Sequence, residues 1–405
     1  MVERLDAPQP TFFLPSLEQI PDNDDDKPKA GIQITTSIGE LPAVIFGAAA
    51  FCNSYSTDDH IQSVVPLRVT RLALRYGINA FDTSPYYGPS EIILGNALEA
   101  LKHEFPRSSY QLFTKCGRFG DTRADFDLTR EGVNASVSRS LARLHTDYLD
   151  TVYVHDIEFI AEARTPRKRG NHLSALGGEQ DAYGLGEDQA GHVLGNGDKE
   201  VLGAIAALRE LQDRGVVRRV GISGYPLPTL LRISILVLHE TGKPLDVVMS
   251  YSHLNLQNRM LEAFRPAFLE RAKVKHVVAA SPLSMGLLSP KPPAWHHASD
   301  EIKAAAANAI ALHNKQIGGE QNEPTFSEVA LRYAFERAFE AQIPTVSGLC
   351  HTREVHTCAR VWHEFQSGEG REKWGTHVEP ILSFFKDANV LDQSWTNPSF
   401  TREQI

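Results

Sequence analysis

Between residues 41 and 362, short β-branched or aromatic runs alternate with stretches of helical periodicity. That rhythm restricts the chain to folds made of repeated strand–helix units around a parallel sheet. The strand candidates are residues 43–46, 80–82, 111–115, 149–155, 217–223, 245–250, 274–280 and 342–347, eight in all. Helical patterns fill the intervals. Leu94, Ala97, Leu98 and Leu101 keep one face after Ser90, a candidate N-cap, and Val133, Val137, Leu141 and Leu144 do so after Thr129. Val201, Ile205, Leu208 and Leu211 form a third such face, stopped by Gly215. Eight units of this length predict an α/β fold of the (β/α)8 TIM-barrel type. A doubly wound open sheet is the competing arrangement, because a count of strands does not establish closure.

Three segments fall outside the rhythm. Residues 1–40 form an N-terminal arm in which Asp22, Asp24, Asp25 and Asp26 crowd among prolines, a composition that suits a solvated segment. Lys27 occupies the sixth place from Asp22, where a calcium loop requires glycine. Residues 164–200 contain eight glycines and few apolar positions, and read as a flexible insertion between the fourth strand and its helix. The insertion opens with Arg164, Arg167, Lys168 and Arg169, a solvated loop by the acidic residues that follow. Residues 363–405 form a tail, carrying Trp374 and Trp395, that is expected to fold over one end of the barrel. The barrel itself is expected over residues 41–362.

Net charge narrows the partners. The chain carries a formal charge of −9, which disfavours nucleic acid and leaves no basic face for an anionic membrane. The longest nearly apolar run, residues 41–52, is too short to span a bilayer. Glu3 and Asp6 break the basic-then-apolar layout of a signal peptide. Cys52, Cys116, Cys350 and Cys358 are widely dispersed, as in a reduced compartment, and a cytoplasmic location is expected.

The chemistry concentrates where strands end. The second candidate strand delivers Asp82, the third Lys115 and the fourth His155, with Tyr87 five residues past the aspartate. Active sites of barrels form at these C-terminal ends. A free tyrosine, with a pKa near 10, is poorly matched to neutral pH, and a neighbouring ammonium favours its ionised form. Tyr87 is then the general acid/base, Lys115 its modulator, Asp82 the partner of Lys115, and His155 the group that orients a substrate oxygen. These groups move protons but cannot accept hydride, so redox chemistry requires a nicotinamide cofactor. His296 and His297, or His351 and His356, lack a third ligand at a metal-binding spacing, so no metal is expected. No Gly-x-Ser-x-Gly elbow for nucleophilic catalysis occurs.

The run Phe81-Asp82-Thr83-Ser84-Pro85-Tyr86-Tyr87-Gly88-Pro89-Ser90-Glu91, followed by Leu94-Gly95, resembles the signature of the aldo-keto reductase family. Residues 114–118, 154–159, 250–258 and 281–288 extend the resemblance to its branch of D-arabinose and L-galactose dehydrogenases. The Leu254-Asn255-Leu256-Gln257-Asn258 run tilts it toward the D-arabinose side. The resemblance implies hydride transfer from C1 of an aldose to the cofactor, giving an aldonolactone, with the proton passing to Tyr87. D-arabinose is the implied substrate, with L-galactose or L-fucose beside it. An aldehyde or ketone reductase of the same family, or a non-catalytic nicotinamide-binding regulatory subunit, are the alternatives.

The glycine fingerprint of dinucleotide folds is absent, since Gly184-Leu185-Gly186 is followed by Glu187, Asp188 and Gln189. By resemblance the cofactor is held by Ser223, Ser250, Ser281, Leu283, Ser347, Gly348 and Arg353. Gly224, Ser250 and Ala280 replace residues that are commonly asparagine, glutamine and tyrosine in relatives. Gly348 and Leu349 are uncharged, leaving Arg353 alone to meet a 2′-phosphate, so NAD is favoured over NADP. The expected partner is a neutral sugar, with Phe51 joining Tyr87 and His155 at the substrate, and with Trp374 or Trp395 as further candidate walls. The expected assembly is a monomer or homodimer.

Overall fold

A computed structural model of the protein describes residues 17–317 and 323–396. Eight parallel strands close into a barrel: β1 (Val44–Gly47), β2 (Ala80–Asp82), β3 (Gln111–Cys116), β4 (Thr151–Val154), β5 (Val220–Gly224), β6 (Val247–Tyr251), β7 (His276–Ala280) and β8 (Thr345–Gly348). Closure rests on β8, which pairs with β7 on one side and with β1 on the other, Val346 lying opposite Ile45. That pairing excludes the open sheet. Around the barrel run α1 (Val65–Arg75), α2 (Ser90–Ala100), α3 (Arg130–Arg143), α4 (Asn196–Asp213), α5 (Leu227–Thr241), α6 (Met260–Glu270), α7 (Asp300–Ile317), α8 (Phe326–Glu340) and α9 (Thr352–Ser367). A further helix, α10 (Arg371–Asp387), follows in the tail.

Strand alternation divides the core in two. Leu41, Ile45, Ala80, Phe113, Tyr153, Val247, Met249, Val278 and Val346 fill the lumen, while the other strand faces pack under the helices. Leu41 belongs to a two-stranded hairpin, Ser37–Ile38 against Leu41–Pro42, that plugs the N-terminal end of the barrel.

Local caps follow the sequence in part. Thr129 Oγ1 accepts the Gly132 N–H at 3.0 Å and starts α3, and Gly215, at φ 75°, ends α4. Ser90 is not a cap. It is the first residue of α2, and its hydroxyl donates to the Ala48 carbonyl at 2.7 Å. Glu91 beside it is fully buried and accepts from Thr114 and Ser140, both at 2.7 Å, which binds α2 to β3 and α3.

The arm, insertion and tail are more built than their composition suggests. Within residues 17–40, Asp26 is buried and receives a two-pronged contact from Arg68, at 2.6 and 3.0 Å, while Ile20, Ile34 and Ile38 join the core. The solvated reading holds for Asp22, Asp24 and Asp25, which are exposed, and is corrected for Asp26, whose carboxylate the arginine pairs inside the fold. Residues 164–200 bury Ala175, Tyr183 and Leu185, and the Leu185 carbonyl accepts from Arg271 on the rim of α6. The flexible reading gives way to a packed loop, although Arg164, Arg167, Lys168 and Arg169 stay exposed. The tail returns to the C-terminal face, where Ser394 and Gly170 exchange backbone hydrogen bonds at 2.8 and 2.9 Å. No helix among the described residues is long and apolar enough to cross a membrane.

Candidate active site

Period-two alternation builds the site. Ala80, Phe113 and Tyr153 point into the lumen, so Asp82, Lys115 and His155, each two residues further on, point to the same side one layer higher. Tyr87 is brought to them by a tight turn after β2, in which its N–H donates to Ser84 O at 3.0 Å and Gly88 takes φ 53°. A glycine is suited to that left-handed angle. The four residues expected to act together are thus in one cluster.

Lys115 Nζ donates to Asp82 Oδ1 at 2.6 Å and to Thr83 O at 3.0 Å. It also lies 4.6 Å from the centre of the Tyr87 ring. The His155 ring stands edge-on to Tyr87, with centroids 5.7 Å apart at 88°. His155 Nδ1 is 3.1 Å from Ser84 Oγ, and Nε2 is 3.4 Å from the Asp156 carboxylate. Burial, reinforced by the charges of Lys115 and Arg118, holds the His155 pKa well below the usual histidine value, so its imidazole is neutral.

One electrostatic expectation is corrected. The Tyr87 hydroxyl is pushed well above the ordinary tyrosine value, by burial first and then by the charges of Asp82 and Asp156. Lys115 spends its hydrogen bonds on Asp82 and Thr83 and faces the ring of Tyr87, so desolvation outweighs the ammonium. Burial likewise raises Asp82, against the pull of Lys115.

A second charged pair lies beside the tetrad. Arg118 Nη1 pairs with Asp156, and Arg118 Nη2 donates to Tyr86 Oη at 3.0 Å, its guanidinium stacked 3.9 Å from the Tyr86 ring centre. Asp156 takes φ 47°, and Ser252 and Ser281, also just past strand ends, take 59° and 62°. Such angles are costly for residues other than glycine and cluster where a site over-determines the backbone. Glu158, one turn on, accepts the Tyr225 N–H at 3.0 Å, and burial together with the Asp156 charge raises its pKa to about 8. No sequence pattern assigns a role to Arg118, Asp156, Glu158 or Ser84. Their signal was present, since each lies within a few residues of Asp82, Lys115 or His155.

Apart from β6, whose last lumen-facing position is Tyr251, the remaining rim is small. The last lumen-facing positions of β1, β5, β7 and β8 are Gly47, Ser223, Ala280 and Gly348. Ser223 Oγ is buried without a hydrogen-bond partner, and a Cβ on Gly348 would meet nothing nearer than Gly47 O at 4.0 Å. An orphaned hydroxyl in a cradle of small residues fits a flat, polar ring such as a nicotinamide.

Three expected contacts are corrected. Ser250 shares the outward row with Ala279, and its hydroxyl is taken by His253 Nδ1 at 2.9 Å. Ser347 lies in the outward row with Phe46. Phe51 is fully buried, with its ring 5.6 Å from that of Phe46, and is core rather than pocket wall. Trp374 packs against Arg332 at 5.1 Å, far around the helical ring on α10. Trp395 stacks on Tyr225 at 4.8 Å and belongs to the C-terminal face. Ser281 and Leu283 stand on the loop after β7, Gly348 ends β8, and Arg353 is exposed on the first turn of α9. Of the paired histidines, His296 is buried against Ser284 O and His356 meets Tyr76 Oη at 2.6 Å.

A closed barrel with a buried tyrosine beside a lysine–aspartate pair at its C-terminal mouth is a site able to move protons, and the matching family is one of oxidoreductases. The chain belongs to the aldo/keto reductase family, whose pattern matches residues 43–368. It is 34% identical to D-arabinose 1-dehydrogenase of Saccharomyces cerevisiae over 366 residues, covering 89% of this chain and 95% of that one. It is 35% identical to L-galactose dehydrogenase of Arabidopsis thaliana over 354 residues, covering 86% and 92%. Among solved structures it resembles the glycerol dehydrogenase of Gluconobacter oxydans, with a TM-score of 0.53 at 19% identity, covering 94% of this chain and all of the other. An aldo-keto reductase of Bacillus halodurans gives the same TM-score at 20% identity, covering 86% and 95%. These last two likenesses concern the fold.

Proposed function

We propose that the protein oxidises an aldose at C1 to the aldonolactone with NAD as hydride acceptor, D-arabinose being the first candidate and L-galactose or L-fucose the next. The convergence of Tyr87, Lys115, Asp82 and His155 beside a half-rim of small residues carries this reading. A nicotinamide supplies the hydride acceptor that no side chain can be. Tyr87 takes the C1 hydroxyl proton, His155 hydrogen-bonds the same oxygen as a neutral imidazole, and Lys115, fixed by Asp82, stabilises the tyrosinate that acts. The sugar class rests on the two relatives named for D-arabinose and L-galactose, which the chain covers nearly end to end.

NAD is preferred because a 2′-phosphate calls for charged, fork-like donors. Gly348 offers no side chain, Leu349 is buried, and Arg353 is the single cation of segment 347–353. A reductase acting on aldehydes is a second reading favoured by one observation: a Tyr87 hydroxyl held protonated is the form that donates to a carbonyl. Initial rates with D-arabinose, L-galactose, L-fucose and D-xylose, each with NAD and with NADP, test the proposal. Nicotinamide reduction by D-arabinose with NAD is expected. Turnover of aldehydes alone supports the second reading, and no turnover in either direction overturns both.

A further inference from the structure

Two loops at the C-terminal face, the second of them the segment that carries Gly348 and Arg353, bring together a cysteine and two histidines to which the proposed chemistry gives no role. His60 lies on a short helical turn after β1, Asp58–Ile61, and Cys350 and His351 lie on the loop after β8. One ring nitrogen of each histidine and the Cys350 sulfur all fall within 4.8 Å of one another. His60 Nε2 is 2.9 Å from the Cys350 carbonyl oxygen. A carbonyl only accepts, so Nε2 carries the proton and Nδ1 keeps its lone pair. Metal-bound histidines are commonly fixed in this way, with the second ring nitrogen donating to a backbone carbonyl. The loop itself is pinned by Glu354, whose carboxylate accepts the N–H of Cys350 at 2.7 Å and that of His351 at 3.2 Å.

We propose that His60, Cys350 and His351 form a Zn2+ site whose fourth position is open to water. Thiolate and imidazole together suit zinc and exclude the hard cations Mg2+ and Ca2+, which take oxygen ligands. Tetrahedral zinc with bonds of about 2.0–2.3 Å holds its ligand atoms about 3.5 Å apart, so the three must draw in by about an ångström. His351 is exposed at the N-cap of α9 with its ring edge-on to that of His60, centroids 4.5 Å apart, and it is the ligand that has to give up its cap to move in, whereas His60 and Cys350 are half-buried. On binding, the Cys350 S–H bond is replaced by an S–Zn bond and the proton leaves to solvent, with no change of oxidation state. The site links the first and eighth βα loops next to the pairing of β8 with β1, two residues past Gly348. Sequence inspection could not find it, because His60 is 290 positions from its partners.

Titration of the full-length protein with Co2+, a spectroscopic stand-in for zinc, tests the site. One equivalent is expected to give a thiolate-to-metal charge-transfer band that Zn2+ then abolishes and Mg2+ leaves unchanged. Cys350→Ser is expected to remove the band, and Cys358→Ser to retain it. His351→Ala is expected to weaken binding about 100-fold through loss of one of three ligands, and His351→Asn, which keeps an N-cap side chain but not the imidazole, to weaken it equally. Absence of the band in the wild-type protein, its survival in Cys350→Ser, or wild-type affinity in His351→Ala overturns the proposal.

Discussion

Desolvation decides protonation at the mouth of the barrel. Tyr87 is held as the neutral phenol and His155 as the neutral imidazole, while Lys115 and Asp82 form a buried ion pair in which each partner is the other's main compensation. A raised Tyr87 pKa means that its basic form appears only as pH climbs. Sugar oxidation is therefore expected to rise steadily toward alkaline pH and carbonyl reduction to hold up at neutral pH, as kcat profiles in the two directions would report. Oxidation that is flat or falls above neutrality contradicts this. Lys115→Met leaves the Asp82 carboxylate buried without its cation, which costs about 3–5 kcal/mol of stability as well as activity. Chemical denaturation checks it, and Asp82→Asn in the same background should recover much of the loss. Glu158 gives a linked stability effect of defined sign. Its carboxyl ionises near the ordinary 4.5 when unfolded and at about 8 when folded. The stability it contributes is complete below the lower value and is lost as pH rises through the upper one. The Tm difference between Glu158→Gln and wild type should therefore grow in favour of the variant across that window; parallel curves contradict it.

Strands and helices differ in how much of their placement the residues announce. The eight strands were legible because each is short, apolar and set between helical periods, and their observed bounds differ from the expected ones by only a few residues at the ends. The tetrad was legible for the same reason, since the strand that buries Phe113 or Tyr153 must also aim Lys115 or His155. What failed to show were pairings made by topology. Asp26 finds Arg68 across 42 positions, Arg118 finds Asp156 across 38, and Ser394 finds His253 across 141. No local pattern encodes such distances, so the arm was read as solvated and the insertion as flexible. Ser250 and Ser347 were misplaced by a related cause: a position matched from a motif carries no information on which strand face it takes. Helix contacts also hold one sharp constraint. A Cβ at Gly95 of α2 would lie 1.8 Å from the Arg143 carbonyl oxygen at the end of α3. Gly95→Ala is expected to force the two helices apart and cost about 1–3 kcal/mol or more, read as a lower denaturant midpoint. An unchanged midpoint would show that this approach is not tight.

The barrel assembles its candidate site from both halves of the chain, with the titratable cluster at the ends of β2 to β4 and the small-residue cradle on β5, β7, β8 and β1. The tail completes the C-terminal face through Ser394 on His253 and Trp395 on Tyr225. A ligand that seats in that cradle binds the folded chain alone, so NAD should raise the unfolding temperature. At 100 times its Kd the gain is about 2.7 kcal/mol, and NADP at equal concentration should give a smaller shift. Equal shifts would remove the argument from Arg353. The most direct test of the account is the initial rate of NAD reduction with saturating D-arabinose, compared between wild type and Tyr87→Phe. The site as described predicts measurable turnover in the wild type and a loss of about 10²–10⁴-fold in the variant, with an unchanged circular dichroism spectrum. Turnover by Tyr87→Phe near the wild-type rate would contradict the assignment of Tyr87 as the acid/base.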